Sequence, residues 1–139
     1  MREALFAATL ILLVSVATST YAADVDGAWS ITGMPDPKAQ AYAMTKESNG
    51  RLLLVWEDNY GGTMGAWMPL IGPFDGTTGN LHLLSTSQAN GNLPQAVTCT
   101  FTLTSPTTAT LTVISCTNFP QQDNCPPPGS PALTLTKLF

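Results

Sequence analysis

Apolar and polar positions alternate with a period of two through most of the chain beyond residue 23, and no stretch there follows a helical period. In residues 24–33 Trp29 and Ile31 share one parity, with Ser30 and Thr32 on the other. Residues 39–48 make a second strand, ended by the Asn49-Gly50 dipeptide that favours a two-residue hairpin turn. Residues 51–57 are apolar on both parities, which predicts a central, well-covered strand. Strands at 64–71 and 81–86 follow, separated by a Gly/Pro/Asp-rich corner. Residues 95–104 and 109–116 form a hairpin about Ser105-Pro106-Thr107-Thr108, and residues 132–139 end the chain with Leu133 and Leu135 facing inward.

About eight short strands with turn signals between them predict an all-β fold. Consecutive pairing makes it an antiparallel meander, which escapes exposed strand edges by closing into a small barrel or a tight sandwich. Residues 23–139 form this single domain. Ahead of it, residues 1–22 read as a signal helix. Arg2 and the amine give positive charge, Leu5 to Val14 form an apolar run too short to span a bilayer, and Thr20 and Ala22 fit a cleavage site after Ala22. The mature chain is thus expected outside the cytoplasm, periplasmic or extracellular, with no membrane span.

Composition narrows the partners. Four Lys/Arg (Lys38, Lys46, Arg51, Lys137) face eight Asp/Glu in the mature chain. Without a basic cluster, neither nucleic acid nor an anionic membrane surface is an expected partner. An unknown small molecule, glycan or protein remains.

Three cysteines in an oxidising compartment leave one unpaired. Val97, Cys99, Phe101 and Leu103 share the inward parity of their strand. Cys116 shares the outer parity of Thr110 and Thr112 unless a bulge intervenes. Cys116–Cys125 is therefore the favoured disulfide and Cys99 a buried thiol, with Cys99–Cys116 the alternative.

Gly27-Ala28-Trp29 and the closing Leu135 to Phe139 strand resemble calycin-type barrels, the lipocalins and avidins. The succession of Gly27-Ala28-Trp29, Asn49-Gly50, Trp56, Tyr60 with Gly61 and Gly62, and Trp67 resembles a group of secreted bacterial β-domains of unsettled function. Both likenesses imply a barrel-like fold and export rather than a reaction.

Catalytic chemistry is scarce. His82 is the single histidine, and neither a zinc-protease, nucleophile-elbow nor phosphate-loop motif occurs. A Ser-His-Asp triad stays open on inventory alone, but no catalytic residue, cofactor or metal ligand is assigned. Glu57 and Asp58 point to opposite faces of an extended strand, so they form no carboxylate pair. The ligand-binding candidates are Tyr60, Trp67, Trp56 and Trp29, whose flat apolar faces suit a barrel mouth. The competing reading puts Trp29 and Trp56 in the core. A non-enzymatic, exported ligand-binding barrel is the expected function. Its rival is an inhibitor of an envelope or secreted hydrolase acting through the proline-rich loop 117–131.

Overall fold

The turns decide how this chain folds back. Asn49 and Gly50 both take positive φ, 54° and 71°, the pair of conformations that a two-residue hairpin turn compatible with strand twist requires. They join β2 (Gln40–Ser48) to β3 (Arg51–Asn59). The corner before β5 is held by Asp75, whose Oδ1 accepts the N–H groups of Thr77 and Thr78 at 2.8 and 2.6 Å. That local turn lets the strand resume at Thr78, three residues earlier than the hydrophobic pattern indicates.

The computed structural model describes residues 24–34, 40–59, 66–84, 96–117 and 129–139. The segment expected to be a signal, Tyr60, Cys125 and most of loop 117–131 lie outside the described residues. The remaining strands are β1 (Gly27–Thr32), β4 (Ala66–Pro73), β5 (Thr78–Leu83), β6 (Ala96–Ser105), β7 (Thr108–Thr117) and β8 (Leu133–Lys137). Each pairs antiparallel with the next, and β1 pairs with β8, so the eight strands form a closed barrel. The meander closes as a barrel, not a sandwich.

The interior is packed with Leu52, Leu54, Leu70, Leu81, Leu111, Leu135, Phe101 and Trp29. An apolar interior is the reverse of a transmembrane barrel, whose lumen is polar. Among the described residues no helix is long and apolar enough to cross a membrane. Large and small side chains alternate around the wall. Ala43 lies opposite both Trp29 and Trp56, so its small side chain leaves room for two indoles.

One end of the barrel gathers the tight turns and both ends of the described chain. There Val25 is buried, Thr45 Oγ1 donates to the Val25 carbonyl, and Trp29 Nε1 donates to Thr45 Oγ1 at 2.7 Å. Trp29 also meets Phe101 edge-on at 6.3 Å, and the Lys137 ammonium stands 5.6 Å from its ring centroid. Asp26 ties the entering segment to β2 by accepting from Glu47 N and from the Lys46 ammonium.

A bulge revises the cysteine parity. Thr98 pairs with Ser115 but Cys99 pairs with Val113, which leaves Ile114 as an extra residue in β7. The extra residue turns Cys116 from the outer face to the inner one, opposite buried Val97, where it packs on the core. Ile114 is thrown outward instead and is 59% exposed.

Candidate functional site

The four aromatic residues singled out in the sequence do not share one surface. Trp29 is fully buried with its indole N–H satisfied, so it is a core residue. Trp56 is also inside, but its buried Nε1 has no hydrogen-bond partner among the described residues. Trp67 faces the opposite way: it stands on the outer wall, 42% exposed, while its neighbour Met68 points in. Tyr60 lies outside the described residues. A mouth lined jointly by Trp29, Trp56 and Trp67 is therefore not what the strands build.

What the strands do build is an outer face on β2, β3 and β4. In register, Tyr42 lies opposite Glu57, and Glu57 lies opposite Trp67. Neighbouring strands are about 4.8 Å apart, so the two aromatic side chains rise about 10 Å from each other with the carboxylate between. Tyr42 is 44% exposed and Glu57 half-buried. No hydrogen bond or ion pair engages the Glu57 carboxylate among the described residues.

The next row along the wall is apolar throughout. Ala28 opposes Met44, Met44 opposes Val55, and Val55 opposes Pro69. Leu84 extends it, its N–H donating to the Pro69 carbonyl at 2.9 Å. Leu53 and Ile71 form a further apolar pair beyond. The double apolarity of β3 thus does not mark a strand covered on both sides. Leu52, Leu54 and Trp56 point into the barrel, and Leu53 and Val55 are half-buried members of a face that nothing covers among the described residues.

The sequence pattern singles out neither Tyr42 nor Met44, and it sets Glu57 only on the face opposite Asp58. A signal for the correct face was present. Gln40 and Lys46 share the parity of Tyr42 and Met44, and a Lys on that parity sets it outside. Ala41, Ala43 and Thr45 then face in, as found.

No protein-family model, curated protein or solved structure matches this chain. The site must therefore be read from its own geometry.

Other chemistry-bearing groups are engaged or isolated. His82 stands on the outer wall with Nδ1 3.2 Å from Thr98 Oγ1. Cys99 is a free thiol sealed in the core, and burial pushes its pKa up to about 12, so it is a poor nucleophile. Burial works against the charge on Asp26, but the Glu47 N–H and Lys46 outweigh it and hold the carboxyl below its ordinary range. Asp75 is lowered by the Thr78 and Thr77 N–H groups it accepts from. Among the described residues no cluster of His, Cys, Asp and Glu is arranged to hold a metal ion.

Proposed function

We propose that the protein is an exported, non-enzymatic β-barrel module that binds a ligand on its outer face, through Tyr42, Glu57 and Trp67, rather than inside the barrel. The observation that carries this reading is the register row itself. Two exposed aromatic side chains flank half-buried Glu57, whose carboxylate has no partner among the described residues, beside an apolar row. Aromatic residues and Met at an exposed apolar patch are the usual anchors of binding surfaces.

Size favours a small or extended ligand over a large protein interface. Three rows over a few strands cover on the order of 300 Å² from strand spacing and rise. A stable protein interface needs about 800 Å² on each partner. Export follows from the leader-like segment at residues 1–22 and fits the cysteines. With Cys99 free inside the barrel, the Cys99–Cys116 alternative falls, and Cys116 and Cys125 are left to pair in an oxidising compartment.

Native mass spectrometry of the protein taken from its own host tests this directly. Wild type is expected to carry a retained molecule that Trp67→Ala and Tyr42→Ala lose and Thr102→Ala keeps. A molecule held equally by all four proteins would place the site elsewhere. N-terminal sequencing of the same material is expected to begin at Ala23.

A further inference from the structure

We infer that the Tyr42–Glu57–Trp67 row is a site for an organic cation, a quaternary or fully alkylated ammonium seated over the Glu57 carboxylate between the two rings. This inference rests on the outer face being the binding surface and names the class of molecule it takes.

Three observations point to that class. First, Glu57 is a half-buried residue whose carboxylate has neither an ion-pair nor a hydrogen-bond partner among the described residues. Of the basic groups nearby, Lys46 lies two rows along the outer wall and is taken up by Asp26. A carboxylate without a partner favours a ligand that brings the positive charge itself.

Second, the flanking side chains suit a methyl-coated cation. A tyrosine and a tryptophan about two strand spacings apart leave room for an object between them, and aromatic ring faces attract cations. No ring contact pairs Tyr42 with Trp67, so neither face is occupied by the other. Alkyl groups on the nitrogen would rest on Met44, Val55 and Pro69 in the adjoining row.

Third, that adjoining row argues against a sugar. Ala28, Met44, Val55, Pro69 and Leu84 offer no side-chain donor and no acceptor beyond the weak thioether of Met44. A sugar ring laid there would strip water from its hydroxyls without replacing those hydrogen bonds, whereas an alkylated ammonium has no N–H to satisfy. The chain's formal net charge of −4 adds a long-range pull of the same sign.

The test is a titration of the purified protein followed by the Trp67 indole signal in nitrogen–proton correlation spectra. The probes are choline, tetramethylammonium, the uncharged carbon isostere 3,3-dimethylbutan-1-ol, and a neutral oligosaccharide. Choline and tetramethylammonium are expected to move the Trp67 signal at concentrations about tenfold below the uncharged isostere. Glu57→Gln is expected to erase that difference, and Trp67→Ala to weaken cation binding about fivefold or more, read on the remaining row residues. Spectra that keep the dispersion of wild type show that each variant is folded. If the isostere binds as tightly as choline, or if only the oligosaccharide moves Trp67, the cation assignment is wrong while the outer-face site stands. If no probe moves Trp67 and the molecule retained from the host survives Trp67→Ala, both readings fall.

Discussion

Two rows of outward side chains, on opposite sides of the same barrel, have contrasting chemistry. From β1 to the residue after β5 one reads Ala28, Met44, Val55, Pro69 and Leu84. From β5 through β8 to β1 the other reads Thr78, Thr102, Thr110, Thr134 and Thr32. Beneath both, the inward residues are alike: Leu54, Leu70 and Leu81 under one, Phe101, Leu111 and Leu135 under the other. The barrel needs only that each strand have one apolar parity. The threonine row shows what an outer wall looks like when folding alone sets it: β-branched for strand propensity and hydroxylated for water. The apolar row departs from that pattern without any gain to the core, and it borders the Tyr42–Glu57–Trp67 row proposed above as the binding surface.

The largest expected effect tests the strand crossing on which the apolar row depends. A Cβ on Gly72 would sit 1.8 Å from the Asn80 carbonyl oxygen, so β5 passes too close for any side chain. Gly72→Ala is expected to destabilise the barrel by about 3 kcal/mol or more, or to prevent folding, as read by urea denaturation. A mild effect would mean that β4 and β5 do not meet as described.

Next, Leu54→Ala under the apolar row and Leu111→Ala under the threonine row are each expected to cost about 2–5 kcal/mol. Similar losses confirm a shared interior, and a cheap Leu54→Ala would show the apolar face to be the better-packed side of its strand. Smaller again is the difference between the two buried indoles. Trp29→Phe abandons a hydrogen bond to buried Thr45, whereas Trp56→Phe abandons none among the described residues. Trp29→Phe is expected to cost about 1 kcal/mol more than Trp56→Phe in the same denaturation measurement.

At the rim common to both rows, acid should act through Asp26 and Asp75. Both have folded-state pKa values below the ordinary one, so their stabilisation is present above about pH 4 and is lost as pH falls through the folded values. Asp26→Asn is expected to flatten that acid slope, seen as a smaller drop in Tm between neutral and acid pH. The smallest effect separates the Tyr42–Glu57–Trp67 row beside the apolar one from the threonine row. Trp67→Ala and Thr102→Ala should each change stability by no more than about 0.5 kcal/mol. Only the first should alter binding.

The chain's period-two pattern and its turn residues determined the all-β class, the antiparallel order, the Asn49-Gly50 hairpin and the inward placement of Cys99, Phe101 and Leu111. Those follow from local rules: a strand has two faces, and a turn needs particular backbone angles. Tertiary structure decided what parity leaves open. Where both faces of a strand carry apolar groups, as in β3, only the volume left by the rest of the core selects the face. Trp29 and Trp56 fill the space beside Ala43, which forces Tyr42 and Met44 out. Likewise one extra residue at Ile114 turned Cys116 inward, a reversal of face that no count of alternating positions contains.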